Sequence, residues 1–182
     1  MNKQACRMTD THVYFLGSPL SQWALSRFSA QIDIEGPFYH FTHAEQYMMA
    51  AKAYLFSDED SLQKILNASN PALQKSLGKR VKNFDPELWS KASLDVVIRA
   101  NICKFAQNID QRQFLISTGL RKIVEGNQDD PIWGVALDWN DDKILDEKNW
   151  RGENRLGQAL EIVRDLFNNI PTTINPWTRK YI

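Results

Sequence analysis

The stretch from His43 to Phe56, HAEQYMMAAKAYLF, decides the architecture, because it reads as a helix that is apolar nearly all the way round. A surface helix shows one apolar stripe, whereas a helix apolar on every side belongs in a core. Two opposite charges interrupt it. At about 100° per residue, Glu45 and Lys52 fall within about 20° of each other, on the side that also carries Met48, Met49 and Phe56. Their axial separation of about 10 Å is too long for an ordinary ion pair along a helix and suits two groups flanking one small ligand. Thr42 with Glu45 three positions later also spells a capping box, in which the acid reaches back to the amide of the cap residue. The capping box is the simpler reading of Glu45. Lys52 would then snorkel or find a carboxylate elsewhere.

Outward from this helix, the 182 residues and their 43% apolar content suffice for one domain with a sizeable core. Lys plus Arg and Asp plus Glu both number 22, so no global field draws the chain to nucleic acid or membranes, and an anionic ligand has to be held locally. Two cysteines, Cys6 and Cys103, make no disulfide framework. No signal-peptide pattern and no membrane-length apolar run is found, so the expectation is a soluble, cytoplasmic, unprocessed protein.

His12 to Leu16 reads as a strand closed by Gly17, Ser18 and Pro19. Ile32 to Ile34 and Phe38 to Phe41 alternate around Glu35-Gly36-Pro37 like a hairpin, while residues 21–31 have no clean period. Helices are marked at Ser57 or Asp58 through Leu66, and from Asn70-Pro71 to Gly78. Asp85-Pro86 opens a long central helix with a Leu94, Ile98, Ile102, Phe105 stripe. Asp110 is expected to cap a short helix that Gly119 closes. Arg121 to Glu125 reads as a strand, and a last helix starts near Asn154 with Leu156, Leu160, Val163 and Phe167 inward. The fold expected is α+β, mainly helical, a single domain with a few short strands. Gly126 to Gly152 has no period yet holds Trp133, Trp139 and Trp150, which makes it an ordered, site-forming loop.

Several residues then have two readings. Asp129 and Asp130 precede Pro131, an ordinary turn device for solvated acids. WRGENRLG, Trp150 to Gly157, is either a capped helix start or a glycine-lined helix N-terminus that offers amides to phosphate, with Arg155 supplying a fork of donors. Trp23 and Trp89 pack in the core or form a platform for a base or sugar. His40 and His43 lack a third ligand, so no metal is expected, and the common nucleotide and nucleophile signatures are absent.

In order along the chain, LSQW (20–23), AEQYMMAAKA (44–53), LGKRVKNFDPELW (77–89), KFAQN (104–108), STG (117–119), DDPIWG (129–134) and WRGENRLG (150–157) resemble the NADAR, or YbiA-like, family. The resemblance places the domain at residues 12–168, with 1–11 as an N-terminal extension and 169–182 as a tail outside the pattern. ALSRFSAQIDIEG departs from the family's usual PSPF segment. The family resemblance implies an N-glycosidase that cleaves the bond between ribose C1′ and a base or aminopyrimidine nitrogen. Riboflavin-pathway ribosylaminopyrimidine phosphates and ADP-ribose on guanine are the two substrate types, so the partner is a small-molecule or nucleic-acid-linked ribosyl or ADP-ribosyl group, with no cofactor. A non-catalytic ADP-ribose-binding module is the alternative. Under the resemblance, Glu45 stabilises an oxocarbenium ion or activates water, and Lys52 binds phosphate, sets the Glu45 charge or forms an imine. Asp130 is the second carboxylate. Trp23, Tyr47, Trp89, Trp133 and Gly134 line the base or ribose, and Asn154, Arg155 and Gly157 hold phosphate. Lys79 and Asn108 are further binding candidates.

Overall fold

The computed structural model describes residues 6–169. Its strands are β1 (Cys6–Met8), β2 (His12–Phe15), β3 (Phe28–Gln31), β4 (Phe38–Phe41) and β5 (Lys122–Glu125). Its helices are α1 (Ala44–Leu55), α2 (Glu59–Leu66), α3 (Pro71–Gly78), α4 (Pro86–Gln107), α5 (Ile109–Ser117) and α6 (Arg155–Asn169). β2 pairs antiparallel with β1 and parallel with β5, and β3 and β4 form a separate hairpin. The architecture is α+β and mainly helical, as expected. Because β2 and β5 are parallel, everything between them is one crossover, and it brings the ends of both strands to the flank of α1.

Helix α1 is the buried axis. Residues 44–53 are all buried, and α2, α3, α4 and β4 pack around them. The capping box predicted for it does not form. The extended residue at its head is His43, and Gln46, not Glu45, reaches back, accepting from the Thr42 amide at 2.8 Å and from Thr42 Oγ1 at 3.0 Å. Gln46 then donates to the Ile65 and Leu66 carbonyls, which anchors α2. Glu45 is released for other work; its amide donates to the Gln22 carbonyl at 3.0 Å.

Asp58, Asn70 and Asp85 cap α2, α3 and α4 as their patterns predict. Three other expectations are corrected. The hairpin's first strand is Phe28–Gln31, because Phe28 and Ala30 alternate inward and Phe28 meets Phe41, while 32–37 form the turn. On α4 the deepest residues are Ser93, Val97, Ala100, Asn101, Lys104 and Phe105. Leu94, Ile98 and Ile102 sit at the margin, since α1 and α6 pack closest over small side chains. Helix α5 starts at Ile109 behind Asn108, whose side chain is bonded elsewhere and does not cap it. Cys6 and Cys103 are free thiols, and among the described residues no helix is long and apolar enough to cross a membrane. The 170–182 part of the predicted tail lies outside the described residues.

Candidate active site

One cavity of about 590 Å³ opens beside α1, and Glu45, Met48, Met49 and Lys52 form its floor. The α1 wheel read from sequence therefore places both charges on one surface of one cavity. Helix α3 comes close because Gly78 has no side chain; a Cβ there would run into the Met49 thioether. Lys75 and Lys79 then reach the rim from that side. Gln22 and Trp23 arrive from the loop after β2, and Trp89 from the first turns of α4. Glu125 comes from the end of β5, and Asp130 and Trp133 from the tryptophan-rich loop.

Segment 19–29 has no secondary structure of its own until β3, yet it forms the wall that carries Trp23. Side chains from the α4–α5 corner hold its backbone. Lys104, with no exposed surface, donates to the Pro19 and Ser21 carbonyls at 2.8 and 2.9 Å. Asn108 donates to the Arg27 carbonyl, Gln111 to that of Leu25, and Gln107 exchanges two bonds with Ser29. Asn101 donates from Nδ2 to Gln22 Oε1 and to the Val97 carbonyl. KFAQN is thus a clamp, and Asn108 belongs to it and not to the cavity lining.

The helix start WRGENRLG is likewise spoken for. The amides of Glu153, Asn154, Arg155 and Leu156 donate at 2.9–3.1 Å to the carbonyls of Pro131, Gly134, Ile132 and Trp133. Those are the groups a phosphate would need, so this terminus lashes down the DDPIWG loop and offers no anion cradle. Asn154, at φ +53°, accepts from the Glu125 amide and donates to the Ile123 carbonyl, fixing the end of β5. Gly157 lets α6 lie against the Ile123 carbonyl, where a Cβ has no room. Arg155 donates to the Ser90 carbonyl and stacks behind Trp133, 5.2 Å from its ring centre. Gly134 supports the loop from beneath, pressed against the Glu125 and Asp130 carbonyls. Tyr47 faces away from the cavity, buried beside Phe28 and Phe41 with its hydroxyl donating to the Gln31 carbonyl. Six predicted binding residues, Tyr47, Asn108, Gly134, Asn154, Arg155 and Gly157, are therefore not cavity lining. Trp23, Glu45, Lys52, Lys79, Trp89, Asp130 and Trp133 are brought together.

Two ionisable groups of the lining escape the sequence reading. Lys75 looks like any surface lysine of a short helix, and Glu125 like an acid at a strand's end. In the structure Lys75 Nζ lies 3.5 Å from Asp130 Oδ2, and Asp130 Oδ1 accepts from the Ile132 and Trp133 amides at 3.2 and 2.9 Å. Asp130 is therefore fixed in place by one lysine and two amide donors. Burial pushes Glu45 up to about 7, with Lys75 and the Trp23 side chain opposing the rise. Burial, followed by the Asp130 charge, pushes Glu125 up to about 8. Lys52 has no carboxylate within ion-pair distance among the described residues. Its Nζ lies 3.8 Å from the centre of the Phe84 ring and 5.6 Å from that of Trp89, and burial lowers its pKa. The ring faces attract the ammonium form, whereas burial works against it, and the lowered pKa means that the lone pair comes free more readily than in an exposed lysine. No group of three or more His, Cys, Asp or Glu residues that could hold a metal ion occurs among the described residues.

The NADAR domain model matches residues 14–168. The chain belongs to the NADAR family. Among its NADAR relatives is N-glycosidase R617 of Acanthamoeba polyphaga mimivirus, 38% identical over 165 residues, which are 86% of this chain and 96% of the relative. Protein irg-1 of Caenorhabditis elegans is 44% identical over 127 residues, 69% of this chain and 60% of that protein. N-glycosidase YbiA of Escherichia coli is 27% identical over 159 residues, 87% of this chain and 89% of the relative. The NMR structure of E. coli YbiA superimposes with a TM-score of 0.67 at 24% identity over 92% of this chain and 90% of that one, so the two share a fold.

Proposed function

We propose that this NADAR protein is an N-glycosidase that cleaves the bond between ribose C1′ and a base or aminopyrimidine nitrogen. The observation that carries the reading is the unpaired Lys52 amine on its aromatic seat, facing the same cavity as Glu45 and Asp130. R617 and YbiA bear the name N-glycosidase, which supports the same reaction class here.

Cleavage builds positive charge at C1′, and Asp130, fixed by Lys75 and two amides, stabilises that charge electrostatically. Glu45, poised near neutrality, gives or takes a proton. If the ribose ring opens, C1′ becomes an imine carbon. Lys52 adds to it, the base nitrogen leaves as an amine, and water then hydrolyses the enzyme imine to regenerate Lys52 and release the sugar with its phosphate still attached. Trp23, Trp89 and Trp133 offer faces to the base, and Lys79 at the rim offers a charge to phosphate.

The substrate class is a phosphate-bearing ribosylated base, either a ribosylaminopyrimidine phosphate or ADP-ribose on guanine. The test is incubation with each, following release of free base or ADP-ribose. Turnover of one, abolished by Glu45→Gln, supports the assignment; release from neither refutes it. Borohydride during turnover is expected to fix ribose on Lys52, and an active enzyme without that adduct removes the imine route. Ligand binding by calorimetry that survives Glu45→Gln and Asp130→Asn, with no turnover by wild type, makes the protein a binding module instead.

A further inference from the structure

Three carboxyl groups face the cavity, and their surroundings grade them. Asp130 has a lysine and two amides. Glu45 has Lys75 in range and the Trp23 side chain as a donor. Glu125 has neither. It is 8% exposed, its Oε2 is shielded without a partner among the described residues, and Lys75, the cation that opposes its burial, makes its ion pair with Asp130. Asp130 and Glu45 both present negative charge to it. An acid with no donor and two anionic neighbours rests as the neutral acid.

We propose that Glu125 is a catalytic residue, the general acid that gives its proton to the nitrogen leaving C1′. This rests on the N-glycosidase reading. Whether Lys52 or water takes the carbon, the C1′–N bond breaks with its electron pair on nitrogen, and nitrogen needs one proton to depart as a neutral amine. Glu125 Oε1, the oxygen left to face the cavity, supplies it and becomes a carboxylate. The water that completes hydrolysis returns a proton to it, so the acid is restored each turnover. The pairing follows from the different surroundings of neighbouring carboxyl groups: Asp130 has a lysine and two amide donors, and Glu125, buried without a donor, is the proton carrier, with a pKa of about 8. The charges facing Glu125 are Glu45 and Lys52 on α1, Lys75 and Lys79 at α3, and Asp130 on the loop.

Glu125→Gln keeps the shape and removes the exchangeable acid. The expected result is a 10²- to 10⁴-fold fall in kcat, a nearly unchanged KM, and loss of the basic limb of the kcat/KM profile near pH 8. A second reading needs no substrate: carbon-detected NMR titration of the glutamate carboxyls in the full wild-type chain should show Glu125 titrating near 8. An active wild type matched by an equally active Glu125→Gln, or Glu125 titrating in the ordinary carboxylate range, overturns this assignment. A wild type inactive on both substrate types falls instead on the N-glycosidase reading.

Discussion

Replacing Lys104 by Met tests the clamp that carries the cavity wall. Lys104 is fully buried, and burial lowers its pKa from 10.5 to about 7. The sign follows from proton counts. Between pH 7 and 10.5 the unfolded chain keeps the Lys104 proton and the folded chain has lost it, so stability rises with pH across that window by about 1.4 kcal/mol per unit. A neutral amine still has two N–H groups, enough for both the Pro19 and Ser21 carbonyls. From pH 7.5 to 9.5 the wild type should therefore gain about 2–3 kcal/mol that Lys104→Met lacks. Glu125, Cys6 and Cys103 also titrate nearby, but they are common to both proteins and cancel in the difference. The assay is urea unfolding of both proteins at the two pH values. Parallel pH dependences, agreeing within about 0.5 kcal/mol, would refute the reasoning, because they would mean that Lys104 stays charged in its buried seat.

Glu125→Gln should show the opposite slope. The wild-type acid ionises near 4.5 when unfolded and near 8 when folded, so the variant's stability advantage should grow from pH 5 to 8 in the same unfolding assay and then level off. Trp23→Phe removes a donor that favours the Glu45 carboxylate, so the acid limb of the activity profile should move to higher pH while thermal stability changes little. Asn154→Ala strands the Glu125 amide and the Ile123 carbonyl, and is expected to cost about 2–4 kcal/mol by calorimetric unfolding. Gly157→Ala, which forces α6 off β5, should cost about 1–3 kcal/mol or more by the same measurement, with no specific loss of phosphate affinity.

The sequence displays what is local and hides what is made by distant partners. Asn70-Pro71 and Asp85-Pro86 announce their helices because the cap bonds span two or three residues. The α1 wheel brings Glu45 and Lys52 to one surface because helical geometry alone fixes that. Tyr47, assigned to the ligand through the family resemblance, lies on another side of the same helix, because a helix buried on every side also packs against the hairpin. Thr42 to Glu45 matches a cap pattern, but Gln46 can satisfy both Thr42 and α2, and it wins that position. Glu125 and Lys75 are invisible in a single chain, because only the parallel pairing of β2 with β5 and the approach of α3 at Gly78 bring them to the cavity. The helix start at Asn154 looks free for phosphate, and the carbonyls that occupy it lie some twenty positions earlier.

The wall held by Lys104 and its neighbours has its backbone gripped by foreign side chains, so its path does not depend on the indole of Trp23. Trp23, 45% exposed, can be exchanged while Leu20 stays in the core and the frame at Asn101 to Gln111 stays constant. That separates scaffold from selectivity: redesign of ligand preference belongs at Trp23, and the residues to leave untouched lie some eighty positions downstream.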